Sequence, residues 1–133
     1  MFEFNRLTII AGPCSLENKD MCMEVAEFAA KETSDLGLDF IFKGSFDKAN
    51  RTSADSFRGN GIDKGLSILS SIRKEFNISV LTDVHETFQV DKVAKEVDII
   101  QIPAYLCRQT SLIEAAVKAV GKENNITSAV NIK

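Results

Sequence analysis

Residues Ser79 to Ile102 read SVLTDVHETFQVDKVAKEVDIIQI. Two short β-rich runs, Ser79 to Thr82 and Asp98 to Ile102, enclose a segment with a different period. From about Thr87 to Val97, Val90, Val93, Ala94 and Val97 recur at helical spacing, so one face is apolar. Two nearly continuous apolar runs joined by an amphipathic helix describe a βαβ unit, whose strands are parallel and buried on both faces.

The same unit recurs in both directions. Further runs lie at Leu7 to Ala11, Asp39 to Lys43 and Ser128 to Ile132. Between the first two, Cys22, Val25, Ala26 and Ala29 share a helical face, and Gly37 follows as a stop. A second helix is predicted from about Ile62 to Phe76, with Ile62, Leu66, Leu69 and Ile72 on one stripe. In a fourth, Ser111 and Glu114 have capping-box spacing, Leu112, Ile113, Ala116, Val117 and Val120 form the stripe, and Gly121 ends it. The order is β-α-β-α-β-α-β-α-β, an α/β chain with right-handed crossovers. A doubly wound open sheet and a (β/α)8 TIM barrel both fit. A barrel needs about 250 residues, and the chain has 133. Because it stops on a strand with no covering helix, residues 1–133 are expected to be the truncated N-terminal part of a single barrel domain, with about five strands and four helices.

Composition narrows the function. Hydrophobic residues make up 44% and charged residues 26%, values of an ordinary globular domain. No apolar run suggests a membrane span, and the N-terminus lacks the features of a signal peptide. The net charge of −3 argues against a nucleic-acid binder. Three widely spaced cysteines read as reduced thiols of a cytoplasmic protein. Gly59-Asn60-Gly61 precedes a helix but follows a long loop, and its spacing is not that of a dinucleotide fingerprint.

In either architecture ligands gather at the C-terminal ends of the strands. There the chain carries Lys43, Lys48 and Arg51 in one loop, Arg108 after the fourth run and Lys133 after the fifth. A lone strand-end lysine is usually a solvated surface group. Five cations on one rim repel one another unless anions neutralise them, so a ligand with two or more phosphate or carboxylate groups is expected. Asp83 is placed to accept a substrate hydroxyl or to join an acid/base network. His85, the only histidine, is either a structural group behind Asp83 or a direct participant. Cys22, between Met21 and Met23, is core, and Cys107 is packing or rim. Cys14 at the end of the first run is either a soft metal ligand or a small buried residue.

The motifs at these strand ends carry a resemblance. Ala11-Gly12-Pro13-Cys14-Ser15-Leu16-Glu17, Phe42 to Ser53 with its Lys48-Ala49-Asn50-Arg51 run, Leu81-Thr82-Asp83-Val84-His85-Glu86, Ile100 to Thr110 and Val130-Asn131-Ile132-Lys133 closely resemble the 3-deoxy-D-manno-octulosonate-8-phosphate synthases. The resemblance covers the whole chain in order, except that Gly121 to Thr127 looks several residues longer. It implies a (β/α)8 barrel about twice this length. It also implies condensation of phosphoenolpyruvate with D-arabinose 5-phosphate, releasing phosphate, in lipopolysaccharide (Kdo) biosynthesis. Lys48-Ala49-Asn50-Arg51 separates this family from the sibling 3-deoxy-D-arabino-heptulosonate-7-phosphate synthases.

Residue by residue, the resemblance puts Arg108 and Lys133 on the phosphate of phosphoenolpyruvate. Lys43, Ser45, Lys48 and Gln101 lie around its carboxylate and reacting carbon. Asn50, Arg51 and Thr52 bind the arabinose phosphate, with Arg51 reaching a neighbouring subunit of a homo-tetramer. Asp83 contacts sugar hydroxyls, and Lys48 and Asn50 polarise the aldehyde. Cys14 matches the members that use a divalent metal; their His, Glu and Asp ligands lie beyond this chain, and His85 is not that His. The alternatives are the sibling seven-carbon synthase and an inactive or partner-requiring half-barrel. This chain alone is expected to show no turnover.

Overall fold

In the computed structural model, residues 6–47, 61–123 and 125–133 are described. Five strands form one sheet: β1 (Thr8–Ala11), β2 (Asp39–Lys43), β3 (Ser79–Asp83), β4 (Ile99–Ile102) and β5 (Ala129–Ile132). Four helices alternate with them: α1 (Lys19–Asp35), α2 (Ile62–Phe76), α3 (Thr87–Val93) and α4 (Thr110–Ala119). A short 3-10 helix, Ala104–Leu106, follows β4.

Strand order separates the two architectures left open by the sequence. The order is β1-β2-β3-β4-β5, and every neighbouring pair is parallel. A doubly wound sheet reverses its order at a switch point, whereas successive right-handed crossovers without reversal put every helix on one face. The packing agrees. Phe42, Val80 and Ile100 join Leu66, Leu69, Ile72, Val90 and Ala116 of the helices in one core. The opposite face carries a separate small cluster, Ile41, Leu81 and Ile99 with Ala129 against it. This is the singly wound half-barrel of the (β/α)8 family, with an outer helical layer and an inner face.

Helix termini explain most element boundaries. Asn18 caps α1, its side-chain oxygen accepting from the Asp20 and Met21 amides at 2.8 and 3.2 Å. Gly37, at φ 68°, follows the last turn and its amide donates to the Ser34 carbonyl, so the predicted stop holds. Cys22 and Ala26 are buried on α1, and Leu66, Leu69 and Ile72 on α2, as their spacing predicts.

Four expectations are corrected. The helix predicted to Val97 ends at Val93. The carbonyl of Ala94 is taken by the Ile126 and Thr127 amides, at 2.8 and 3.0 Å, and by the Thr127 hydroxyl, so the chain beyond it follows that loop instead of a further helical turn. The Ser111/Glu114 capping box is not formed. α4 starts two residues earlier, from Gln109 without a side-chain cap, because the preceding 3-10 turn already delivers the chain to it. On α4 the buried residues are Leu112, Ala116 and Ala119, while Val117 and Val120 face outward. Finally, β1 and β5 are not buried on both faces, since they form the two edges of the sheet and Ile10 and Ile132 are exposed.

Candidate functional site

Alternation along parallel strands sets the site. Ile41, Leu81 and Ile99 share the inner face, so the residues two positions later, Lys43, Asp83 and Gln101, point to the same side. Asp83 pairs in register with Gln101, and Gln101 with Asn131. The inner face is therefore apolar at mid-height and polar at the C-terminal end. Asn131 Nδ2 donates to Gln101 Oε1 at 3.3 Å, which fixes that amide's orientation. Lys133 follows β5, its backbone amide donating to the Ile102 carbonyl at 3.1 Å.

The loop after β1 lies tightly over the end of β2. Ser15 forms a parallel bridge with Ser45, and the Leu16 amide donates to the Ser45 carbonyl at 3.0 Å. Two glycines permit this approach. A Cβ on Gly12 would stand 2.1 Å from the Lys43 carbonyl oxygen, and one on Gly44 would stand 2.3 Å from a Leu16 methyl carbon. Cys14 is thereby held exposed at the rim, next to the buried Ser15.

Asp83 is the electrostatic centre. It is 8% exposed, and its Oδ2 lies 3.1 Å from His85 Nε2. Burial by itself pushes the carboxyl pKa up. Hydrogen bonding from His85 and Ser45, with the charges of Lys43 and His85, outweighs burial and brings it down to about 2. Asp83 is thus a carboxylate at neutral pH. Its Oδ1 is buried and makes no hydrogen bond of good geometry, the Ser45 hydroxyl acting on the group from nearby.

The His85 ring packs with two aromatic rings, edge-on to Phe46 and stacked with Tyr105, each at a centroid distance of 6.4 Å. Burial, then the negative charges of Asp83 and Asp47, push the Tyr105 pKa up, so the phenol keeps its proton. His85 occupies the supporting position behind Asp83 that the sequence offered as one of two readings.

Of the residues singled out in the sequence, the structure brings Lys43, Ser45, Asp83 and Gln101 together on one rim. Cys14 stands on the loop over β2, and Lys133 lies just past β5. Arg108 is exposed in the turn between the 3-10 helix and α4. Lys48, Asn50, Arg51 and Thr52 lie outside the described residues. Cys22 is buried core, and Cys107 is half-buried. Sequence reasoning missed Phe46, Tyr105 and Gln89. Tyr105 is the only tyrosine and lies three residues past the end of β4, which was a usable signal. Gln89 sits three residues after Glu86, the spacing of a capping box, and that box is formed.

A thiol at the rim suits a soft or borderline metal ion as one donor. Among the described residues, no group of three or more His, Cys, Asp or Glu side chains is arranged to hold a metal. Also among the described residues, no helix is long and apolar enough to cross a membrane.

The sequence model of the DAHP synthetase I family matches residues 3–126. Among curated proteins, the chain is similar to a 2-dehydro-3-deoxyphosphooctonate aldolase of Francisella tularensis, 51% identical over 118 residues, which are 89% of this chain and 42% of the relative. It is also similar to proteins of that name from Synechococcus, 51% identical over 123 residues (92% of this chain, 43% of the relative), and from Wolinella succinogenes, 50% identical over 127 residues (96% and 46%). The chain spans less than half the length of these relatives.

Proposed function

The chain belongs to the DAHP synthetase I family, and from that premise we propose that it is the N-terminal part of a single-domain synthase barrel joining phosphoenolpyruvate to D-arabinose 5-phosphate. The product is the eight-carbon 3-deoxy-D-manno-octulosonate 8-phosphate, and inorganic phosphate is released. The relatives' name, an aldolase of a 2-dehydro-3-deoxyphosphooctonate, describes that same eight-carbon skeleton. It favours this reading over the seven-carbon sibling. The enzyme is cytoplasmic, its small-molecule substrates are these two phosphates, and it assembles as a homo-tetramer.

One observation carries the proposal: a polar C-terminal rim on an apolar inner face, where an ionised Asp83 lies within the field of Lys43. The substrates bring two phosphates and a carboxylate. Lys43, Ser45 and Gln101 receive the enol phosphate's carboxylate and reacting carbon, and Arg108 and Lys133 receive its phosphate. Asp83 contacts a sugar hydroxyl, and the Asn50-Arg51-Thr52 segment takes the sugar phosphate.

Carbon 3 of the enol phosphate attacks the aldehyde carbon, forming the new carbon–carbon bond. The aldehyde oxygen, polarised by Lys48 and Asn50, takes up a proton. Positive charge left at carbon 2 is quenched by water, which loses a proton, and the resulting hemiketal phosphate collapses to the ketone with loss of phosphate. A divalent metal held in part by Cys14 supplies Lewis-acid polarisation or water positioning when bound.

The test joins this chain, after Lys133, to the complementary C-terminal segment of the Francisella relative. Phosphate release is then measured from phosphoenolpyruvate with either sugar phosphate. Release that requires arabinose 5-phosphate is expected. Equal or faster release with erythrose 4-phosphate moves the chain to the seven-carbon reading. The chain alone is expected to be inactive.

A further inference from the structure

Gln89 lies on the buried side of α3, yet its side-chain carbonyl points back out of the helix. Oε1 accepts from the His85 amide at 2.8 Å and from the Glu86 amide at 3.2 Å. Glu86 reciprocates by accepting from the Gln89 backbone. A cap alone needs only the bond to Glu86. The shorter bond goes one residue further, to the backbone of His85. Among the described residues the His85 ring has one polar contact, Nε2 to Asp83 Oδ2, while Nδ1 is buried without a hydrogen bond. Phe46 and Tyr105 both pack near the ring, and neither hydrogen-bonds to Nδ1. The Asp83 carboxylate, an acceptor only, puts the proton on the nitrogen that faces it, and the backbone at residue 85 sets whether the ring reaches it with Nε2.

We infer that Gln89 is a positioning residue: by holding the His85 and Glu86 amides it fixes the turn that delivers His85 Nε2 to Asp83 Oδ2, and so holds that carboxylate in place on the rim. The catalytic consequence rests on the function proposed above; the positioning itself does not.

The single histidine makes the test direct. Nitrogen NMR of the imidazole, recorded on this chain with the ring neutral, reads the tautomer. The unmodified chain is expected to show the proton held on Nε2. Gln89→Met removes the acceptor at similar volume and should shift the ring signals toward a mixture of both tautomers. Gln89→Glu keeps an acceptor oxygen at the same reach and should restore the original pattern. Glu86→Ala removes the other half of the cap; it should lower the melting temperature and leave the pattern unchanged. If Gln89→Met retains the Nε2 pattern, or Glu86→Ala loses it equally, Gln89 is a helix cap and nothing more. Should Gln89→Met fail to fold, Gln89→Asn, whose amide is one methylene short, decides by the same criterion. In the joined barrel, Gln89→Met should lower kcat at least tenfold with KM for phosphoenolpyruvate within twofold. A barrel without turnover whose ring pattern still responds to Gln89 overturns the proposed reaction and leaves the positioning role intact.

Discussion

Replacing Asp83 by Asn removes a charge whose contribution to stability has a defined pH signature. The folded carboxyl sits at about 2 against an ordinary value of 3.8. That depression corresponds to about 2 kcal/mol of native-state stabilisation when the group is ionised in both states. The group is almost fully buried, so solvent screening discounts little of it. The sign follows from the direction. A depressed carboxyl contributes in full above its unfolded value, and its contribution fades as pH falls through the folded value. The unmodified chain should therefore exceed Asp83→Asn by about 2 kcal/mol in urea unfolding at pH 7. The gap should begin to narrow below about pH 5 and be nearly closed at about pH 2. Comparing the two chains at each pH cancels the titration of the other carboxylates. A gap that stays constant from pH 7 to pH 2.5 would refute the account, as would an Asp83 carboxyl that titrates near 3.8 by carbon NMR.

Three further outcomes are expected. On the proposed function Arg108→Ala would remove a charge-assisted phosphate contact worth about 1.5–3 kcal/mol, so calorimetry on the joined barrel should show phosphoenolpyruvate bound roughly ten- to a hundredfold more weakly. An unchanged constant takes Arg108 out of the site. Exhaustive chelation should abolish turnover of the joined barrel, with restoration by added divalent metal. Cys14→Asn should bind that metal more weakly, as equilibrium dialysis can show, and should relax the requirement. Gly12→Ala sets a methyl against the Lys43 carbonyl. It should destabilise the chain by about 1–3 kcal/mol, the usual cost of overpacking, and an unchanged melting temperature would show that the loop yields freely.

The strands were legible because parallel strands covered by helices leave little room for polar residues, and Phe42, Val80 and Ile100 carry that signal directly. The inner-face rim was legible for a related reason. Lys43, Asp83 and Gln101 interrupt apolar runs at strand ends, where packing alone does not call for polar groups. What the sequence hid was decided by contacts between distant segments. The end of α3 depends on Thr127 reaching Ala94, more than thirty residues earlier. The start of α4 depends on a 3-10 turn that has no period to detect. The role of Gln89 depends on a side chain turning back toward its own N-terminus, which apolar periodicity does not register. His85 was left between two roles because tautomer and ring placement follow from three-dimensional neighbours.

The strict order of the sheet, each strand beside its sequence neighbour, has a consequence for synthesis on the ribosome. Local pairings close small loops and form early, and chains emerge N-terminus first at about 5–20 residues per second. No strand here waits for a later one to separate it from its partner, so assembly can proceed vectorially, one βα unit docking on the last. By the time Asp83 has cleared the exit tunnel, the β1–β2 and β2–β3 pairings and the packing of α1 on α2 have all their residues available. The carboxylate is then carried on a nascent sheet before Gln101 has emerged beside it. His85 and Gln89 follow within six residues, early enough to hold that charge while the strand that completes its register is still inside the tunnel.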